Sequence, residues 1–393
     1  MRETNLLIIG AGPFGLALAA QVAHAGINHL VVGKPMEFWR GNMPQGMFLR
    51  SACDWHLDPL NIHTIEAFLR SKGKSRHDVE PLSLDFYLSY AEWFQQEKKI
   101  RPLPLYIRQL DYDAATQEFI AVTEQWQEQT AGAGGDTIRA KNVVLAPGFK
   151  HFAHVPEDLK SRLPLGRFQH TAEFVDFTTA PKSRYLIIGG RQSAFEWAAL
   201  LIESGASAVH LSHRHPSPAF AESDWSWVNA LVEGIVDNPN WFRRLSDDEK
   251  NANIQRLWAE GRLKVEPWLE PRLNERVKFW PQTEVISCLQ NDTGELVAEL
   301  SNGETVECDQ IVLATGYKVD ISKLPVLAAG NILKQLETRN GFPVLDDHFE
   351  TSVPRFFITS LPATQDFGPF FAFTIAVRAS AQLICDRIVN RES

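Results

Sequence analysis

Asn5-Leu6-Leu7-Ile8-Ile9 runs straight into Gly10-Ala11-Gly12-Pro13-Phe14-Gly15, and that into Leu16-Ala17-Leu18-Ala19-Ala20-Gln21-Val22-Ala23-His24-Ala25-Gly26. The first five residues have the unbroken apolar character of a buried parallel strand, and the last eleven read as a helix closed by a C′ glycine. Between them stands GxGxxG. In this setting the three glycines have separate roles. Gly10 permits the tight turn, Gly12 lets the backbone approach a pyrophosphate, and Gly15 lets helix and strand pack closely. The helix N-terminus adds amide donors and the positive end of its dipole. A further strand is expected over 28–32. The acidic residue usual for the ribose is absent, because Gly33 stands 23 residues after Gly10; Glu37 or another group must take its place.

A second copy of the pattern begins at Arg184-Tyr185-Leu186-Ile187-Ile188, followed by Gly189-Gly190-Arg191-Gln192-Ser193-Ala194 and a helix through Phe195, Trp197 and Leu201 to about Gly205. Here Arg191 replaces the central glycine, where its side chain would either crowd a pyrophosphate or pair with it. The next strand, 208–211, leads into Ser212-His213-Arg214-His215, and Arg214 lies 25 residues beyond Gly189. A cation at that position favours a 2′-phosphate, hence NADP over NAD. Two further buried-strand runs end in small residues, Asn142 to Gly148 through Ala146, and Asp309 to Tyr317 through Thr315 and Gly316. Such strand ends let backbone lie against a cofactor or cross between domains. The fold class expected is α/β, with two Rossmann-like dinucleotide-binding domains.

Composition bounds the remaining choices. At 393 residues the chain has room for two to three domains. Lys and Arg number 39 against 48 Asp and Glu, net −9, so no strong electrostatic term favours nucleic acid or anionic membrane surfaces. Apolar residues at 44% and charged residues at 22% are globular usage. The stretch from Leu6 to Ala23 superficially resembles a secretory h-region, but the glycine motif explains its interruptions, and no run is long enough for a membrane span. Cys53, Cys288, Cys308 and Cys385 are scattered without CxxC, which indicates neither a zinc ribbon nor a redox dithiol and fits a reducing cytoplasm. His210, His213 and His215 have no carboxylate or thiol partner at zinc-like spacing, so no metal is expected. Six of the eleven tryptophans, Trp225, Trp227, Trp241, Trp258, Trp268 and Trp280, fall in a stretch of about 216–280 that reads as a helical insertion, with Ser246 and Glu249 in capping-box spacing. The insertion serves as packing against the sheet or as a substrate lid.

These residues together resemble a family. Gly10 to Gly15, the later glycine motif and Leu313-Ala314-Thr315-Gly316-Tyr317 look like the two-dinucleotide-domain flavin monooxygenases, which include flavin-containing monooxygenases, microbial N-hydroxylases and Baeyer–Villiger enzymes. Asp309 followed by Leu313 and ATGY is similar to the N-hydroxylating branch. Gly166 to Phe174, with His170, resembles the linker signature FxGxxxHxxxY/F, although Pro164 replaces its first aromatic and Phe174 stands where Baeyer–Villiger enzymes have Trp. The resemblance implies a discontinuous FAD domain, residues 1–181 and 309–393, and an NADPH domain, 182–308. It places Trp39, Arg40, Met47, Arg50, Asp54, Trp55 and His56 near the flavin, and Gly368, Pro369 and Phe370 at the C-terminal return to it.

The activity implied is a monooxygenase in which NADPH reduces FAD and a flavin hydroperoxide oxygenates a small organic substrate at N, S or C. Bulky residues such as Trp39, Trp55 and Phe370 would exclude water. Asp54 and His56 are the candidate catalytic residues, to orient substrate or relay a proton, with structural hydrogen bonding as the other role for both. His170 is read as a linker residue holding domain geometry. Two other readings stay open: an FAD-dependent NAD(P)H reductase serving a quinone or protein acceptor, and a non-catalytic flavin-binding regulator. The expected partners are a small-molecule substrate and O2, and a homo-oligomer is left open.

Overall fold

The computed structural model describes residues 1–125, 136–173, 176–224, 231, 234, 237–238, 240–273 and 275–392. The opening run forms strand β1 (Arg2–Ile9), whose Leu6, Leu7 and Ile8 are fully buried, and the turn feeds helix α1 (Pro13–His24) with Pro at its start. Pro is favoured there because its missing N–H needs no partner in the first turn. Strand β2 (His29–Val32) lies parallel to β1 on one side and β5 (Thr137–Leu145) parallel on the other. The sheet continues through β4 (Glu118–Gln125) to β3 (Leu105–Asp113), giving the order β2-β1-β5-β4-β3. The end of β5 also pairs in parallel with Phe356–Ile358, so a late stretch of chain completes the first sheet. Helix α2 (Leu84–Glu97), capped by the Ser83 hydroxyl, buries Tyr87, Tyr90 and Phe94 in the core of this unit.

A second sheet, parallel throughout, has the order β9-β8-β7-β10-β6, from β6 (Phe168–His170), β7 (Arg184–Ile188), β8 (Ala208–His213), β9 (Val277–Pro281) and β10 (Gln310–Leu313). Helix α3 (Gln192–Glu203) packs Phe195, Trp197 and Leu201 onto it. The pairing of β6 and β10 extends this sheet on either side of the 182–308 expected for the second domain. A three-stranded antiparallel layer, 285–308, covers its other face and encloses Cys288 and Cys308.

Within the expected insertion the main helix is α4 (Asp247–Arg262), opened by a capping box in which Ser246 and Glu249 satisfy each other's backbone N–H groups. Beyond it the chain is extended at 264–265 and tightens into a 3-10 turn at Pro267–Arg272, so the insertion is not helical throughout. Trp225 and Trp227 lie outside the described residues, as does Phe174. Helix α5 (Val377–Glu392) closes the chain and lies against α1. Among the described residues no helix is long and apolar enough to cross a membrane.

Candidate functional site

The first glycine turn opens onto a cavity of about 780 Å3, within the range of small-molecule and cofactor sites. Gly10, Gly12, Pro13, Phe14, Gly15, Trp39, Ala146 and Gly148, all expected from the sequence, line it. The three glycines differ as their spacing predicts. A side chain on Gly10 (φ +114°) would collide with the carbonyl of Ala146, and one on Gly15 with the carbonyl of Gly10. A Cβ on Gly12 would meet nothing within 4 Å, so the backbone there faces the open cavity. Gly12 also caps α1 without any side-chain hydrogen bond, which leaves its first amides for an anion.

Gly33 cannot carry the ribose-binding acid, since its φ is +121° and a Cβ would lie 3.2 Å from the Ala11 nitrogen. Glu37 lines the cavity instead, bonded to the Tyr106 hydroxyl and 3.6 Å from Lys150 Nζ. Burial and the Glu37 carboxylate push Tyr106 up to about 12. Ser360 and Thr374 reach the cavity from the C-terminal segment. Tyr106, Lys150 and Thr374 carry no sequence signal, because only the folding of distant strands brings them to the glycine turn.

The loop after Trp39 behaves differently. Trp39 stacks on Tyr87 at 4.9 Å, but Arg40, Met47, Arg50 and Trp55 lie outside the cavity lining. Arg40 turns outward toward Glu92. Met47 is half-buried and its carbonyl accepts from Leu84 N–H. Arg50 donates to Glu266, to the Gly261 carbonyl and to Ser223, tying the loop to the insertion. Trp55 packs against Phe373. At the C-terminal return, Gly368 is wedged against Phe242, and Phe370 is core. With Pro369 they sit outside the cavity lining, because the 3-10 turn at 369–372 carries the rings inward.

Asp54 and His56 are not paired with each other. Asp54 is exposed and bonded to Arg76, which also holds Glu66. His56 is buried, its Nδ1 accepts from Asp58 N–H, and its Nε2 faces Arg378. Burial first, then Arg378, pushes His56 down to about 4, so the ring is neutral at pH 7 rather than poised to exchange a proton there. His170 is buried with Nδ1 accepting from Ala172 N–H, and its ring lies against Tyr317.

At the second turn a side chain on Gly189 (φ +143°) would collide with the Ala314 carbonyl, just as Gly10 abuts Ala146. The strand ends of β5 and β10 thus serve the two turns in the same way. Arg191 stands at the N-cap of α3 and makes no side-chain cap hydrogen bond there; its guanidinium lies 4.6 Å over the ring of Trp258 from α4. Gln192 accepts from Glu266 N–H, Ser193 is exposed in the first helical turn, and Arg214 is exposed just past β8. A Cβ on Gly190 would lie 2.5 Å from His213 Cβ. The imidazoles of His213 and His215 each bond a backbone carbonyl through Nδ1, and His210 accepts from Trp280. Thr315 and Gly316, just past β10, bond back to residue 154: Thr315 donates to the His154 carbonyl, and Gly316 accepts from His154 N–H.

The family model for pyridine nucleotide-disulphide oxidoreductases matches residues 7–240, spanning both glycine turns. The chain belongs to that family. Among solved structures, this oxidoreductase fold is similar to the ornithine N-hydroxylase of Kutzneria sp. 744 in complex with reduced FAD, NADP+ and L-ornithine, at TM-score 0.79 and 14% identity over all of both chains. The FAD-bound cadaverine monooxygenase of Erwinia amylovora gives 0.72 at 17%, over 100% of this chain and 96% of that one. The bacillithiol disulfide reductase of Bacillus cereus gives 0.65 at 19%, over 99% and 100%. At these identities the likeness is one of fold. A search of curated proteins found no match. Within this oxidoreductase all four cysteines are free and buried, and burial raises their thiols to about 11 or 12.

Proposed function

We propose that the protein is an NADPH-dependent, FAD-containing monooxygenase acting on a small organic substrate. The observation that carries this reading is the bare Gly12 backbone facing a cavity large enough for a dinucleotide, in a chain whose second turn repeats the arrangement. FAD is assigned to the first cavity: the Gly12 turn and the N-terminus of α1 would hold the pyrophosphate, and Glu37 the ribose. NADPH is assigned to the second turn, with the amides at the start of α3 facing the phosphates and Arg214 the 2′-phosphate. The domains are accordingly an FAD unit from both ends of the chain and an NADPH unit between them. When bound, the flavin would supply hydride acceptance and the activation of O2.

The chain's own residues would then orient and shield. Trp39, stacked on Tyr87, and Thr374 close the cavity from the sides of α2 and the C-terminal segment and keep water from it. His56 stays neutral at working pH, so its role is to hold or position a donor N–H rather than to cycle a proton. The structures of similar fold include both oxygenases and reductases, and the cysteines weigh against the disulfide-reducing kind. Disulfide chemistry needs an accessible thiolate, and every thiol here is buried and held protonated. A scan of amines, sulfides and heteroaromatic compounds tests the proposal. At least one should accelerate NADPH oxidation while lowering H2O2 release; a quinone that accelerates it with no oxygenated product from any compound would instead favour the reductase.

A further inference from the structure

Arg378 lies on α5, one helical turn past the cavity residue Thr374, and faces the loop that carries Trp55 and His56. Every polar partner it has there is neutral: Asn61 Oδ1 at 3.2 Å, the Asp54 carbonyl at 3.5 Å and His56 Nε2 at 3.4 Å. Its Nε is buried and has no partner. The carboxylates nearby are already engaged. Asp54 is bonded to Arg76, and Asp58 accepts from the N–H groups of Leu60, Ile62 and His63 and pairs with Lys98 at 2.9 Å. A half-buried guanidinium with no carboxylate in hydrogen-bond contact is costly unless something supplies the charge.

The contact with His56 sharpens this. Its Nδ1 accepts a backbone N–H, so the neutral ring carries its hydrogen on Nε2. Nε2–H and Arg378 Nη1 are then two donors 3.4 Å apart, and Nη1 is satisfied by Asn61 Oδ1 instead. We propose that Arg378, which meets only a second donor and an amide at Nη1, forms an oxyanion subsite that takes a carboxylate of the substrate through its Nε–Nη2 edge. The Nε–Nη2 edge, held only by the 3.5 Å contact to the Asp54 carbonyl, matches the two oxygens of a planar carboxylate better than the tetrahedral oxygens of sulfate or phosphate. Trp55, next to His56 in the chain, packs on Phe373, whose chain neighbours Ala372 and Thr374 line the cavity. That the carboxylate belongs to the oxygenated substrate rests on the function proposed above, whereas the subsite itself does not.

Isothermal titration calorimetry on the full chain tests it with acetate, benzoate and glutarate, their uncharged amides, and sodium sulfate at matched ionic strength. At least one carboxylate should bind saturably and its amide should not. Arg378→Met should weaken binding at least about tenfold, as for loss of a charge-assisted bond, and Arg378→Lys should restore part of it. The carboxylate-to-amide contrast needs no variant, so a misfolded Arg378→Met leaves the test intact. Overturning results are no binding by any of the three carboxylates, equal binding by the amides or by a folded Arg378→Met, or sulfate binding as tightly as the carboxylates. The same sample is mixed anaerobically with NADPH. Flavin reduction without carboxylate binding removes the subsite alone; carboxylate binding through Arg378 without reduction supports the subsite and removes the oxygenase reading.

Discussion

At the residue scale the three turn glycines separate folding from binding. Gly12→Ala should melt close to the parent temperature and lose FAD content, because its Cβ points into open cavity. Gly10→Ala and Gly15→Ala should instead lose about 2–5 kcal/mol, from backbone collision and, at Gly10, a left-handed φ; melting temperature and flavin absorbance read both. Glu196 offers a test in pH. It is fully buried on α3, accepting from Phe48 N–H and pairing with Arg272, yet burial outweighs these and raises it to about 7. The folded chain therefore holds its proton more tightly than the unfolded chain, where it titrates near 4.5. That stabilisation is complete below about pH 4.5 and is lost as pH rises through 7. Melting temperatures should fall between about pH 5 and 8, and Glu196→Gln should flatten the fall; an unchanged slope would remove Glu196 as its source. The glycine roles were legible in the sequence because the local turn imposes them. The environment of His56 was not, since Asp58, Arg378 and its own burial set it, and Arg378 is 322 positions away.

Elements show the same division. The start of α4 was readable from Ser246 and Glu249 because a capping box is a contact between near neighbours. What α4 does was not, because the stacking of Arg191 on Trp258 joins residues from two separate elements. That stack explains how arginine is accommodated at a glycine position: its side chain lies over the indole. Arg50, expected near the flavin, instead clamps the insertion through Ser223, Gly261 and Glu266. Arg50→Met should cost about 1–3 kcal/mol and speed proteolysis within 216–280, more than it changes FAD content. Arg214→Ala should raise the Michaelis constant for NADPH about tenfold while leaving that for NADH nearly unchanged, the loss expected for one phosphate contact. Equal effects on both would withdraw the 2′-phosphate assignment.

For the whole molecule, the repeat of strand, glycine turn and helix made the two-unit α/β plan directly readable. Which sheet 168–170 and 310–313 join was hidden, because strands of three or four residues carry no record of their partners, and parallel pairing between segments so far apart in the chain is settled by packing. The result is two sheets whose surroundings are tied by Phe48 N–H to Glu196 and by Arg50 to Glu266. Both glycine turns lie on one chain, and all four thiols are buried, so no dithiol stands ready to take electrons onward. The decisive experiment is a single anaerobic reduction by NADPH followed by oxygen, with H2O2 quantified across the substrate scan. The protein should be yellow and NADPH should bleach it, with H2O2 well below one equivalent in the presence of at least one compound; failure of both NADPH and NADH to bleach it, or stoichiometric H2O2 with every compound, would contradict the monooxygenase assignment.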